Sequence, residues 1–253
     1  MEQNSILKTL DRGLTVLLKF LDKPEWTLSG LAQDLGLHKS IVFRLVTTLE
    51  RRGFVVKGED RVYRLGLRVL ELGNVAYKQI DLRRAAYPVL QKLVNETRES
   101  AFLTVVSGDE AVCIDKVDSP HNIKLTLEIG GRSPLYAGAS NKILMAYLPG
   151  ERIDEIVARG LQPITPQTIT DPAELKGNLA EIRQQGWCFS CGEVTPSASA
   201  VAVPIRNGRG QVIAGLSVAG LDARFTKEKI SGLVQALMKA SEEISGQLLG
   251  WSE

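Results

Sequence analysis

The stretch TLSGLAQDLGLHKSIVFRLVTTLERRGFV, residues 27–55, carries two short apolar stripes separated by a glycine, and its spacing decides the fold of the N-terminal part. Thr27 is an N-cap candidate for a short helix in which Leu28, Leu31, Ala32 and Leu35 fall at i, i+3, i+4 and i+7. Gly36 stops that helix. A further helix opens near His38 or Lys39, repeats Val42, Leu45, Val46 and Leu49 at the same spacing, and ends before Gly53. Two short helices joined by a glycine-containing turn, each with one apolar stripe, form a helix-turn-helix.

Upstream, Leu10, Leu14, Leu17, Leu18 and Leu21 give a first helix the 3.6-residue period, and it ends near Lys23 and Pro24. Downstream, FVVKGEDRVYRLG, residues 54–66, places two strand-like runs around a Lys57-Gly58-Glu59-Asp60 turn, which predicts a hairpin wing. Leu67, Leu70, Leu72, Val75 and Tyr77 continue helically to about residue 80, with an apolar side that has no evident partner in so small a domain; a dimer contact would explain it.

From Asp81 the pattern becomes mixed α/β. A helix over LRRAAYPVLQKLVNET is expected to be interrupted or capped around Pro88. Strands are predicted over 101–106, 111–117 and 123–129. The turn Gly130-Gly131-Arg132-Ser133-Pro134 leads to a helix over about 140–148 that Pro149-Gly150 ends. Another helix is expected over 175–185, then strands over 187–190, 200–205 and 212–219 around the turn Asn207-Gly208-Arg209-Gly210. Thr226 can cap a long amphipathic helix carrying Ile230, Leu233, Val234, Leu237, Met238 and Ile244. There is no internal repeat or low-complexity tract.

A chain of 253 residues, 44% hydrophobic and 24% charged, is long enough for two globular units. It has no run of about 18 uncharged apolar residues, and its first residues lack a basic-then-apolar leader, so neither a membrane span nor a signal peptide is expected and the location is read as cytoplasmic. The net charge is only +2, but residues 1–80 hold 13 Lys/Arg against 9 Asp/Glu, whereas residues 81–253 hold 18 against 20. The basic excess sits where a nucleic-acid contact would need it.

Opposite the buried stripe of the second helix of the helix-turn-helix lie Ser40, Phe43, Arg44, Thr47 and Arg51, with Lys39 at the N-terminal end. A helix fits the major groove; Lys, Arg, Ser and Thr supply phosphate and base hydrogen bonds, and Phe can meet a thymine methyl. Lys57, Arg61 and Arg64 on the wing are placed to reach phosphates or the minor groove. The bland alternative is a solvated face of an ordinary core helix. The helix-turn-helix, the basic hairpin after it and an outward phenylalanine together favour a double-stranded DNA operator as partner.

Five segments, TLDRGLTVLLKFL, residues 27–55, YRLGLRVLELG, GGRSPLYAGASNKILMAYLP and AVPIRNGRGQVIAGLSVAG, resemble the IclR family of bacterial transcriptional regulators in order and spacing, over nearly the whole chain. The resemblance implies a winged-helix domain that dimerises through the linker region, an effector domain with a GAF/PAS-like antiparallel sheet, and often a dimer of dimers. It carries over Lys39, Ser40, Phe43 and Arg44 as DNA contacts. It also implies an effector pocket at Ala139, Ser140, Ser190, Ala200, Ser217 and Ala219, with Leu125 and Leu127 as an apolar wall. Where members that bind small keto acids place a carboxylate, this chain has Ser190, and Ala200 and Ala219 stand for a polar or thiol side chain and a second serine. The pocket is therefore expected to be larger and less polar, suited to a bulkier ligand such as an aromatic acid. Arg132 and Lys142 are the cations available to a ligand carboxylate, and both are read as surface charges.

Cys188-Phe189-Ser190-Cys191 is a C-x-x-C, which raises a thiol-based sensor as an alternative function. Residues three apart on a strand point to opposite faces, which argues against a disulfide or a shared metal, and only Cys113, His38 and His121 remain as further ligands. With two histidines and no nucleophile elbow or phosphate loop, no enzyme is expected, and no metal or cofactor. These readings predict an α+β chain of two domains: a winged helix-turn-helix over 1–66, a linker helix over 67–80, and a GAF/PAS-like effector-binding and oligomerisation domain over 81–253. The expected function is a ligand-responsive repressor or activator sensing a small organic acid, active as a homodimer or homotetramer. A constitutive DNA-binding scaffold is the other alternative.

Overall fold

The computed structural model describes residues 7–79, 81–125 and 127–248, and the chain separates into two compact units, residues 1–80 and 81–253. In the first unit, α1 (Lys8–Asp22), α2 (Leu28–Asp34) and α3 (Lys39–Arg51) precede a hairpin of β2 (Val55–Lys57) and β3 (Val62–Leu65). A two-residue strand β1 (Trp26–Thr27), which the sequence pattern does not signal, pairs with the free edge of β3 and completes an antiparallel sheet in the order β1-β3-β2. Thr27 caps α2 by accepting from the Gly30 amide at 3.1 Å.

The core of this unit is Val16, Phe20, Trp26, Leu31, Val42, Leu45, Val46, Val55 and Tyr63. The helix α1 forms as its period predicts, but the leucines that reveal the period are not what it buries. Leu10, Leu14, Leu18 and Leu21 are all more than half exposed, and the core takes Val16 and Phe20, with Leu17 partly inward. A small three-helix core has room for one side of α1 only.

Gly66 joins the wing to α4 (Leu67–Gln79), the linker helix. A Cβ at this position would lie 2.2 Å from the Gly53 carbonyl oxygen, so only glycine lets the two backbones meet there. The Gly66 amide donates to the Phe54 carbonyl at 2.8 Å, and the Arg68 amide to the Gly53 carbonyl at 3.3 Å. On α4, Leu67, Leu70, Leu72 and Val75 are exposed; the side chain of Tyr77, and Ile80, lie outside the described residues.

In the second unit a six-stranded antiparallel sheet runs β6-β5-β4-β9-β8-β7. Its strands are β4 (Ser100–Ser107), β5 (Glu110–Val117), β6 (Arg132–Pro134), β7 (Cys188–Cys191), β8 (Ala198–Arg206) and β9 (Val212–Leu221). Alternation along β8 sends Ala200 and Ala202 to one face and Val201, Val203 and Ile205 to the other; nearly all are buried, so both faces are covered. The helices α5 (Asp81–Thr97) and α9 (Lys227–Gln247) pack together against one face, while α6 (Ala139–Ala146) and α8 (Pro172–Gln185) cover the other.

Several expectations need correction. Residues 123–129 form no strand among their described residues; they belong to the loop after β5, and the edge position goes to β6, within the stretch expected as a turn. Lys124, Leu125, Leu127 and Glu128 alternate in the sequence as a strand would, but the described residues of the segment find no ladder partner. Pro149-Gly150 does not simply end a helix: Pro149 is the N-cap of α7 (Gly150–Ala158), whose Ile153 and Ile156 join the core. The helix α5 runs through Pro88 unbroken, because Ala85, Ala86, Val89, Leu90, Leu93 and Val94 bury its inner side on both sides of the proline and offset the roughly 3 kcal/mol it costs. Thr226 caps α9 as expected, accepting from the Lys229 amide at 3.3 Å.

One buried carboxylate ties the two ends of this unit. Glu99, fully buried just before β4, accepts from Arg224 Nε and Nη2 at 2.7 and 2.6 Å and from Lys229 Nζ at 2.8 Å. Burial alone would raise its pKa, but the hydrogen bonds from Arg224 and Lys229 outweigh burial and lower it. A depressed folded pKa means that Glu99 adds stability above its unfolded pKa, about 4.3, and that this is lost as pH falls through the folded value. Arg224→Met, which leaves the carboxylate half-paired, is expected to cost about 3–5 kcal/mol in urea unfolding at neutral pH, with a smaller loss in acid.

Candidate effector cavity and nucleic-acid interface

Because α3 turns about 100° per residue, burying Val42, Leu45 and Val46 forces Lys39, Ser40, Phe43 and Arg44 outward. All four are exposed, as is Arg51, and Thr47 is half-buried at the edge of the same face. Phe43 is 51% exposed on a helix that already has a full core stripe. His38 caps the helix: its Nδ1 lies 2.8 Å from Ser40 Oγ and faces the Ser40 amide at 3.5 Å. On the wing, Arg61 is exposed at the turn and Lys57 Nζ stands 5.7 Å from the Tyr63 ring centre. Arg64 differs from its expected role. Its guanidinium, on a side chain 38% exposed, pairs with Glu25 and Asp60, both at 2.7 Å, and is thus already engaged within the unit.

In the second unit, the eight residues singled out for a pocket converge on one cavity of about 250 Å³. Sheet register explains the floor. Ser190, Ala200 and Ala219 form one row across β7, β8 and β9, and Ser217 lies beside Phe102 in the next row. Leu125 and Leu127 pack with Phe102, Cys113 and Ala219 as one wall, although they sit on a loop and not a strand. At the other end, Ala139 and Ser140 open α6. The Ser140 hydroxyl makes a short hydrogen bond with Thr104, whose hydroxyl also reaches the Gly215 carbonyl at 3.3 Å.

Sequence reasoning missed Phe102, Thr104 and Glu193 as cavity residues, and it misplaced Lys142. Lys142 is not a surface charge: it is 1% exposed and donates to Glu193 Oε1 at 2.6 Å and Asn178 Oδ1 at 3.0 Å. A signal existed: the consecutive polar residues Ser140, Asn141 and Lys142 fall on different sides of α6 and form no single solvent face, and every residue of the helix but Ser140 is buried. Glu193 Oε2 accepts from the Gly138 amide at 3.0 Å. Thr165 and Thr168 donate to the Gly192 and Glu193 carbonyls at 2.6 and 2.7 Å, fixing the loop after β7 beside the cavity. Arg132 does reach the cavity rim, but its guanidinium is engaged by Glu110 at 3.0 Å.

The thiol reading finds no support. Cys188 is buried and Cys191 exposed, on opposite faces of β7, and all three cysteines are free. Burial pushes the Cys188 and Cys113 thiols up to about 12, the reverse of a reactive thiolate. His121 is exposed, and among the described residues no three His, Cys, Asp or Glu side chains cluster to hold a metal. No helix among them is long and apolar enough to cross a membrane.

Comparison with known proteins matches a family model to each part of the chain. The model of the IclR helix-turn-helix domain matches residues 9–59, and that of the bacterial transcriptional regulator IclR C-terminal domain matches residues 75–246. The chain is 36% identical to the HTH-type transcriptional regulator KipR of Bacillus subtilis, over 95% of this chain and 97% of the relative. It is 32% identical to the HTH-type transcriptional regulator KdgR of Escherichia coli, over 97% and 92%. Among solved structures, an IclR homolog from Microbacterium hydrocarbonoxydans complexed with 4-hydroxybenzoate superposes with a TM-score of 0.85 at 27% identity, over 96% of this chain and all of that one.

A winged helix-turn-helix followed by an α+β domain with an internal cavity defines a DNA-binding transcriptional regulator with an effector-binding domain. The chain belongs to the IclR family of bacterial transcriptional regulators.

The end of the cavity at α6 depends on one close approach. A Cβ at Gly215 would lie 2.8 Å from Ser140 Oγ and 2.9 Å from the Ser140 carbonyl oxygen, so Gly215→Ala must push α6 off the sheet. A loss of about 1–3 kcal/mol in thermal or urea unfolding is expected.

Proposed function

We propose that this regulator senses a small organic acid, with an aromatic carboxylic acid as the favoured class, and that cavity occupancy alters its affinity for a DNA operator. The observation that carries the reading is the polarity of the cavity. Phe102, Leu125, Leu127, Ala200 and Ala219 offer apolar surface to a ring, while Ser140, Ser190 and Ser217 supply hydroxyls. The first-turn amides of α6, at Ala139 and Ser140, have no carbonyl partners within the helix and favour an anion. The neighbouring Glu193 is neutralised by Lys142, so it does not oppose a carboxylate as a bare charge would. About 250 Å³ lies just below the usual 300–1,000 Å³ of small-molecule sites and suits a single ring. The 4-hydroxybenzoate bound by the Microbacterium relative agrees with this class.

On the DNA side, Lys39, Ser40, Phe43, Arg44 and Thr47 are assigned to the major groove, and Lys57 and Arg61 to the flanking phosphates. The exposed apolar side chains of α1 (Leu10, Leu14, Leu18) and α4 (Leu67, Leu70, Val75) are assigned to a homodimer contact, with a dimer of dimers as the larger assembly. Two recognition helices would then read successive major grooves about 34 Å apart, in the cytoplasm, as a repressor or activator. The ligand acts by favouring one of two arrangements of the chain, since equal affinity for both would shift nothing.

Thermal denaturation against benzoate, 4-hydroxybenzoate and small aliphatic carboxylates tests the sensor. An aromatic acid at 100 times its Kd is expected to stabilise the fold by about 2.7 kcal/mol and to change operator affinity, and Ala219→Phe, which fills the cavity, is expected to abolish both effects. Stabilisation with unchanged operator affinity would leave a constitutive scaffold. On the DNA face, Arg44→Ala is expected to weaken the preferred operator by about 1–3 kcal/mol with no change in unfolding, as read by fluorescence anisotropy at fixed salt.

A further inference from the structure

We infer that His38 sets the hydrogen-bonding polarity of Ser40 and so determines which bases the recognition helix accepts beside it; the inference rests on the groove-facing reading of α3 given above. His38 and Ser40 are both exposed at the N-terminal end of α3, on the side that carries Lys39 and Arg44. Two groups of Ser40 face His38 Nδ1: the backbone amide, which donates at 3.5 Å, and Oγ at 2.8 Å. The amide settles the tautomer, because a backbone N–H is a donor only and cannot face a protonated Nδ1. With Nδ1 accepting from the amide, the 2.8 Å contact is assigned as Ser40 O–H donating to the same nitrogen.

A serine hydroxyl has one proton and two lone pairs. With the proton held by His38, Ser40 offers the groove only lone pairs. In the major groove, amino donors belong to adenine (N6) and cytosine (N4), whereas guanine and thymine present only acceptors along the same edge. A serine that ordinarily tolerates either kind of edge becomes selective for an amino group. His38 acts here as a positioning residue, through Ser40, and its effect is on preference more than on affinity.

Selection from a randomised duplex library at fixed salt, using the full chain, tests this. The wild type is expected to restrict one position of each half-site to adenine or cytosine on the contacted strand, by roughly fivefold or more, and Ser40→Ala to lose that restriction. His38→Ala is expected to admit guanine and thymine at that position while the other positions keep their preference. A His38→Ala variant that weakens every duplex by the same factor, with preference unchanged, would show a helix cap and nothing more, and would overturn the inference. Arg44→Ala in the same selection separates the two levels. If it relaxes a different position while His38→Ala relaxes none, only the role of His38 fails; if Arg44→Ala and Ser40→Ala both leave the selection unchanged, the groove-facing reading of α3 fails with it.

Discussion

The ion pair between Lys142 and Glu193 is the constraint around which the ligand-binding domain is arranged. Each charge pays a desolvation penalty of several kcal/mol on burial, which is recovered only where the remaining protons and lone pairs are also met. Here they are: Asn178 on α8 takes a second Lys142 proton, and the Gly138 amide meets the second Glu193 oxygen. One interaction thereby fixes α6 against α8, draws the loop after β7 across the start of α6, and leaves the amides of Ala139 and Ser140 beside the cavity. Apolar packing could hold the same helices, but it would not fix the height of that loop to within a hydrogen-bond length.

The helix-turn-helix was legible because its signals are local. Thr27 as a cap, Gly36 as a stop and two stripes at helical spacing act within a few residues of one another, and the structure follows them almost residue for residue. The wing was legible for the same reason, although its turn closes over residues 58–61, one residue later than the spacing predicts. The role of Arg64 was not, because its partner Glu25 lies 39 residues away in the chain and no pattern links them.

The cavity shows the opposite case. Its eight expected lining residues came from resemblance to a family, and the structure gathers all of them, but the physical reasons they meet are long-range. The row Ser190, Ala200 and Ala219 exists only through strand register, and Thr104 reaches Ser140 only because residue 215 is glycine. The error at 123–129 is instructive in the same way. Alternation is a property of a sequence, whereas a strand is a property of a pair of sequences, and the loop that carries Leu125 and Leu127 serves as a wall without a ladder. The outward leucines of α1 follow similar logic: periodicity identified the helix, but which side the core uses depends on how much core there is.

The junction at Gly66 has a mechanical meaning. The Gly53-Phe54 segment that follows α3 and the N-terminal end of α4 touch backbone to backbone, with the Gly66 and Arg68 amides donating to the Phe54 and Gly53 carbonyls. Planar peptide groups yield less than side chains, so this junction leaves little slack between the two helices. A rotation delivered to α4 would reach the segment that follows the recognition helix through peptide groups alone.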